Sequence, residues 1–410
     1  MAACLAAALA GTACGAGPRP AEPERPEPER IPSREPFVRV GLEVGADSVR
    51  AGAPGGLRVT DLTAGRELET PSRDGGWLLR GDGGRVAVAG GGGGGRLRLR
   101  PRREGATLTV DGRSYRGLVD VYPVPGHGLV VVNQLDLEAY LRGVVPLEIG
   151  PRRPDEAAAV RAQAVAARTY AVANLGRRDS LGFDVFGGVL DQVYGGRGAE
   201  RAPVTRAVEA TEGEILVHRG RPIRAYYHST GGGTTARVSD VWHLPDAPYL
   251  RRVSDRRPDG GFYCEASPRF RWRERWTGSE LDAAARHGIA EHFGVDSAEV
   301  GAVRGVEVLA RTGGDRITAL EVRTEGGRWI LTKDDIRFTL RTPDGRGLRS
   351  TRFRVAEGPG DGGGLRLTGR GFGHGVGMCQ WGAIGRARAG QGYREILTHY
   401  YPGTELRKAY

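Results

Sequence analysis

Glu148 is the residue of this chain whose surroundings best suit proton transfer. Val144, Val145, Leu147 and Ile149 flank it. A carboxyl drawn among such side chains loses hydration of its charged form, so its pKa rises toward what a general acid near neutrality requires. The same spacing also fits a glutamate that only caps the next segment or pairs with an arginine. Arg168 shares a helical face with Arg161, Val165 and Val172 at i, i+4, i+7 and i+11, and an arginine so placed holds a carboxylate. Gln192 and Tyr194 alternate along an extended segment; they either offer an amide and a phenol to a sugar or form a buried, satisfied pair. His228 leaves a strand into a loop of Ser229, Thr230 and three glycines, where a metal ligand, a base and a hydrogen-bond donor are all open readings. His374 and Gln380 bracket a run with glycine at nearly every second position, which lets backbone pass close to a neighbour or a bound chain. His374 there is either a catalytic partner or a satisfied structural histidine.

Two helices must position the glutamate. The first is expected from Asp136 as N-cap, with Leu137, Tyr140, Leu141 and Val144 on one buried face, and is expected to stop at Pro146. The second opens at Pro154-Asp-Glu156, suited by fixed φ and by the helix dipole, and runs until Gly176 releases the chain. It is nearly all alanine, so neighbouring backbone can approach closely. Glu148 lies at the bend between them. Before them, residues 37–132 hold short alternating runs separated by glycine-bearing turns, the pattern of half-buried strands at sandwich or barrel spacing. Gly90 to Gly95 reads as a flexible loop. After them come a helix at 202–210, a strand at 213–218, and mixed strands and helix from Arg269 to Phe353, with Ser279 as an expected N-cap. Gln380–Ala389 and Ile396–Tyr401 read as closing helices. The expected fold class is α+β, β-rich around an alanine-rich central helix, with a cleft.

A net charge of +11 suits an anionic polymer or surface. The basic residues are mostly arginine, dispersed among acids and not interleaved with aromatics, which argues against nucleic acid as partner. Residues 1–14 form a short apolar stretch ending in small residues, like the core of a secretory signal. Gly-Thr-Ala-Cys14 resembles a lipoprotein cleavage box, with Cys14 as a lipid anchor, although no basic residue precedes it; a frayed alanine-rich tail is the plainer reading. Residues 15–36, rich in Pro, Glu and Arg, read as an extended tether. Beyond the leader only Cys264 and Cys379 remain, too few for a disulfide framework; packed free thiols are expected, with pairing open if the protein is exported.

Five stretches together carry a family resemblance: "YLRGVVPLEIG" with "EAAAVRAQAVAARTYAVAN", "LDQVYGG" (Leu190 to Gly196), "YYHSTGGGTT" (Tyr226 to Thr235), "SDVW" with "PYLRRV" (Ser239 to Val253), and "GRGFGHGVGMCQWGAIGRARAGQGYREILTHYYPGTEL" (Gly369 to Leu406). In this order they resemble the SpoIID/LytB family of bacterial cell-wall proteins over roughly residues 112–406. The resemblance divides the chain into a β-rich region at 37–111 and a family region at 112–410 with an insertion at about 269–353. It implies an extracytoplasmic protein acting on peptidoglycan glycan strands as a lytic transglycosylase. Glu148 would be the general acid and base, and Arg168, Gln192, Tyr194, His228, Ser229, His374 and Gln380 substrate contacts or supports. It also implies an N-acetylmuramoyl-L-alanine amidase as partner, since strands stripped of stem peptides are preferred. A non-catalytic amidase enhancer is the alternative. Some relatives hold zinc through a histidine at the position of His228 and cysteines shortly downstream. Residues 230–250 contain no cysteine here, so no cofactor is expected, His243 being the one further candidate ligand.

Overall fold

The computed structural model describes residues 31–68, 76–126, 128–358 and 363–410. The leader, Cys14 and most of the tether lie outside the described residues. The chain divides into two compact units. Of the described residues, 31–224 and 406–410 form the first and 225–405 the second. The fold is α+β and β-rich. Among the described residues no helix is long and apolar enough to cross a membrane.

In the first unit, a seven-stranded sheet runs Val185–Phe186, Phe37–Ala46, Gly128–Asp136, Leu118–Val124, Leu97–Pro101, Leu57–Asp61, Arg66–Glu67. A six-stranded sheet runs Arg113–Tyr115, Leu108–Val110, Ser48–Gly52, Trp77–Asp82, Arg85–Val88, Gly93–Gly94. Alternation explains most of these strands: Val38 and Val40, Leu57 and Val59, and Leu97 and Leu99 are all buried at period two. Gly128–Asp136 instead buries Leu129, Val130, Val131 and Val132 in succession, so both faces of this strand are covered. Two expectations need correction. Within 90–95, Gly93 and Gly94 pair with Ala87 and Val86 as an edge strand. Nor does the chain divide at residue 111, because Leu118–Val124 and Gly128–Asp136 pair with strands from before that point and complete the first sheet.

The helices of this unit are α1 (Leu137–Glu148), α2 (Ala157–Ala173) and α3 (Ala202–Glu209). Helix α1 does not stop at Pro146. Proline removes one N–H bond, but here it stands in the last turn, and the Ile149 N–H reaches the Val145 carbonyl at 3.1 Å, which carries the ladder past it. Glu148 is therefore the last helical residue. Asp136 flanks α1 in extended conformation without a side-chain cap bond. Helix α2 begins after a 3₁₀ turn at Pro154–Glu156, and Gly176 (φ 74°) lies just beyond its end.

Helices α1 and α2 are joined by a buried ion pair. Arg168 is fully buried and donates from Nε and Nη2 to the two oxygens of Glu138, each at 2.7 Å. Its remaining hydrogens reach the carbonyls of Val208 and Glu214, at 3.2 Å each. The Tyr410 hydroxyl donates to Glu138 Oε1 at 2.7 Å, which ties the C-terminus to the same carboxylate. Burial alone would raise the Glu138 carboxyl. The Arg168 bonds and charge, with Tyr410 and the Gly213 N–H, outweigh burial and hold it below its usual range.

The second unit contains α4 (Gly278–Phe293), α5 (Ser297–Val300), α6 (Asp335–Thr339), α7 (Gln380–Arg388) and α8 (Tyr393–Tyr400). Two three-stranded antiparallel sheets accompany them, Arg271–Trp276, Leu365–Arg370, Phe353–Glu357 and Val303–Arg311, Ile317–Thr324, Gly327–Thr332. Their core gathers Trp276, Leu281, Ile289, Leu320, Leu331, Ile336 and Leu367. The N-cap of α4 is Thr277 rather than Ser279, because Thr277 and Glu280 form a reciprocal capping box. Tyr227–His228 and Met378–Cys379 pair in parallel, which brings two of the sequence motifs together.

Replacing Arg168 by Met would leave Glu138 buried without its counter-charge. The expected loss of stability is ~3–5 kcal/mol, and Glu138→Leu added to it should restore most of that loss. Urea unfolding of both variants measures this; an unchanged midpoint in Arg168→Met would contradict the account.

Candidate functional site

Glu148 is half-buried at the C-terminal end of α1, between the fully buried Val145 and Ile149 and beside Leu147, which is 47% exposed. The backbone N–H of Val193 donates to Glu148 Oε1 at 2.8 Å. A main-chain donor cannot rotate away as a side chain can, so it holds the carboxyl in one orientation.

The segment 190–196 supplies that donor by turning its own side chains inward. Gln192 is fully buried; it accepts from the Tyr140 hydroxyl at 3.2 Å and donates to the Ala167 carbonyl at 3.3 Å. Tyr194 is buried, and its hydroxyl donates to Asn133 Oδ1 at 2.8 Å, while the Asn133 amide bonds the carbonyls of Arg116 and Leu118. Burial pushes the Tyr194 phenol up and the Tyr140 phenol well up, so both act as neutral donors. This is the buried, satisfied pair and not a sugar-facing surface. With both neighbours directed inward, the intervening N–H meets the carboxylate. Gly143 makes the close approach feasible, since a Cβ there would stand 2.6 Å from the Tyr194 ring. Arg168 also leaves the set of direct substrate contacts, because it is fully buried and its carboxylate partner is Glu138. Sequence reasoning missed Val193, whose contribution is a backbone N–H that no residue type advertises.

In the second unit the structure brings His228 and His374 together, with ring centroids 5.6 Å apart, and sets Trp242 5.0 Å from His374. His374 is half-buried. Its Nε2 donates to the Tyr227 carbonyl at 2.9 Å and its Nδ1 accepts from the Val376 N–H at 3.1 Å, an arrangement that fits only the neutral ring. Burial is the main cause that depresses its pKa to about 4. His228 is buried and donates from Nδ1 to the Val376 carbonyl at 3.2 Å. Burial, then the neighbouring His374 and Arg316, hold it well below the ordinary histidine value. Ser229 is half-buried, and its carbonyl accepts from the Trp381 N–H at 3.1 Å. Gln380 is buried at the first turn of α7. Gly371, Gly373, Gly375 and Gly377 all take positive φ, between 71° and 103°, which accounts for the alternation. A further residue escaped the sequence reading. Arg316 is buried against this run, with Nε, Nη1 and Nη2 all lacking a hydrogen-bond partner, and burial lowers its pKa to about 10.

The zinc arrangement of some relatives does not fit the His228 loop, since residues 230–250 lack cysteine and the His228 Nδ1 is engaged by backbone. His243 Nε2 contacts the Thr332 hydroxyl at 3.2 Å. Elsewhere in the unit, Asp255, Cys264 and Cys379 converge, a grouping that the sequence did not suggest.

Residues 125–218, which include Glu148, Arg168, Gln192 and Tyr194, match the family model described as stage II sporulation protein, and residues 257–377 match a domain of unknown function. Stage II sporulation protein D of Bacillus amyloliquefaciens is 31% identical over 306 residues, 71% of this chain and 79% of that protein. An uncharacterized protein of Brachyspira hyodysenteriae is 33% identical over 299 residues, 73% of each. The amidase enhancer of Bacillus subtilis is 30% identical over 346 residues, 76% of this chain but 46% of that protein, so the chain spans less than half of this relative.

The neutral His374 has a pH consequence. Its pKa is about 4 when folded against 6.5 ordinarily, so the unfolded chain binds the proton more readily. The stability it contributes is complete above pH 6.5 and is lost as pH falls toward 4. Thermal unfolding is therefore expected at progressively lower temperature across that window, with a shallower decline in His374→Gln. An identical slope in the variant would contradict this.

Proposed function

Because this chain belongs to the SpoIID (stage II sporulation protein D) family, we propose that it acts on peptidoglycan in the cell envelope, cleaving glycan strands as a lytic transglycosylase with Glu148 as general acid and base. The observation that carries this reading is the placement of Glu148: a half-exposed carboxyl at a helix end, set between buried apolar residues and oriented by the Val193 N–H.

Most glycosidases need two carboxylates, one as acid and a second to activate water or to attack the sugar. A transglycosylase needs only one, because the muramoyl C6 hydroxyl is the nucleophile. Glu148, protonated, gives its proton to the glycosidic oxygen as the bond from C1 breaks. The C6 oxygen then bonds to C1, and the Glu148 carboxylate takes the C6 hydroxyl proton. The acid is regenerated, no water is consumed, and the product ends in 1,6-anhydro-muramic acid. One residue can serve both steps only if it keeps its orientation between them, which is what the main-chain donor provides.

The half-buried Ser229 is proposed as a sugar contact, and His374, whose two ring nitrogens are engaged by backbone, as a support. The buried Arg168, Gln192, Tyr194, His228 and Gln380 are proposed as residues that hold the groups around them. The net charge of +11 favours an anionic wall polymer. Export, with Cys14 as a lipid anchor, and cooperation with an amidase that strips stem peptides belong to the same proposal. A second reading, a non-catalytic enhancer of an amidase, is favoured by the similarity to the amidase enhancer of Bacillus subtilis.

Incubation of the full chain with glycan strands lacking stem peptides, followed by mass analysis, tests the proposal. Anhydro-ended fragments are expected, falling ~10²–10⁴-fold in Glu148→Gln. Binding without fragments, together with stimulation of an amidase that survives in Glu148→Gln, would select the enhancer instead.

A further inference from the structure

We propose that Asp255, Cys264 and Cys379 form a binding site for a divalent cation of zinc type. The inference is independent of Glu148 and of the proposed cleavage.

The three donor atoms lie within 4.8 Å of one another, and all three residues are buried. They come from distant parts of the second unit: Asp255 and Cys264 precede the Trp276-centred core, and Cys379 immediately precedes α7. Two ligands on one tetrahedral zinc, with bonds of about 2.0–2.3 Å, stand about 3.3–3.8 Å apart, so the observed cluster needs only a small closure.

Asp255 supplies an independent observation. It is 1% exposed, and its Oδ1 accepts from the Tyr400 hydroxyl at 2.6 Å and from Arg386 Nη2 at 3.3 Å. Its Oδ2 is equally buried and has no hydrogen-bond partner. A buried carboxylate oxygen left without hydrogen or cation is costly, and a metal ion beside the two sulfurs would satisfy it. The sulfur of Cys379 is prepared in the same way, since the backbone N–H groups of Gly231 and Gly382 donate to it at 3.3 and 3.2 Å. Such donors fit a thiolate better than a thiol. The same sulfur faces the Ser229 carbonyl at 4.0 Å, so as a thiolate it requires a nearby cation in place of its proton. A bound metal ion provides that charge, and Arg386, at 3.3 Å from Asp255, offsets the third negative ligand.

The donor set decides the class of ion. Two thiolates with one carboxylate suit zinc and other borderline ions and not magnesium or calcium, which take all-oxygen shells. Three protein ligands leave a fourth position for water or another group. These residues differ from the histidine-centred arrangement of some relatives. The cation here joins the loop carrying Asp255 and Cys264 to the end of the glycine-rich run.

The test uses the full chain loaded with zinc or cobalt and freed of excess metal. One zinc per chain is expected by elemental analysis, with thiolate-to-cobalt charge-transfer absorption in the cobalt form and with Cys264 and Cys379 shielded from alkylation until a chelator is added. Cys264→Ser and Asp255→Asn should each weaken zinc binding by more than the ~10–100-fold typical of a supporting residue. Absence of bound zinc, a cobalt spectrum without the charge-transfer band, unchanged zinc content in Cys264→Ser, or recovery of Cys264 and Cys379 as a disulfide in the loaded protein would each overturn the proposal. The alkylation comparison on the unaltered chain keeps it testable if a variant fails to fold.

Discussion

Arg168 and Glu138 meet out of reach of solvent, and the arrangement of the first unit around Glu148 depends on that meeting. Leaving the Arg168 guanidinium buried without a partner would cost several kcal/mol, so docking of α2 is favoured where Glu138 can receive it. The same pair draws in the carbonyls of Val208 and Glu214 and the Tyr410 hydroxyl. Helix α1 is thereby held from its first turn, where Glu138 lies, while its last residue is Glu148. The charge that does structural work and the charge proposed for chemistry stand at opposite ends of one helix of 12 residues.

Between those ends, the packing converts side-chain polarity into backbone geometry. Gln192, Tyr194, Tyr140 and Asn133 satisfy one another in the interior, so the chain near residue 193 has little freedom to move. Its exposed consequence is one N–H directed at one carboxyl oxygen. The second unit uses a related device, in which the Val376 backbone engages both His228 and His374 and fixes which ring nitrogen carries the hydrogen.

Much of the architecture was legible from the sequence. The alternating strands, the alanine-rich helix and the glutamate at its approach follow from periodicity and from proline and glycine placement. The reading of Arg168 as a carboxylate holder was correct, but spacing could not say that the carboxylate is Glu138, since a pairing across 30 residues is a tertiary property. Alternation placed Gln192 and Tyr194 on one face without saying which way the face turns; the missing side chain at Gly143 lets the Tyr194 ring pack inward against α1. Pro146 misled because one missing N–H bond does not by itself end a helix, and the Ile149 N–H still reaches the Val145 carbonyl beyond it. Cys264 and Cys379 looked unrelated, and only the parallel pairing of Tyr227–His228 with Met378–Cys379 and the loop through Asp255 bring the sulfurs to the carboxylate.

The central chemical claim is that one carboxylate suffices because the sugar supplies its own nucleophile. Cleavage of stem-peptide-free glycan in water enriched in oxygen-18 tests this most directly. The account predicts anhydro-ended products carrying no heavy oxygen at the new terminus. Reducing ends that carry the label would show that water is the nucleophile, and would contradict it.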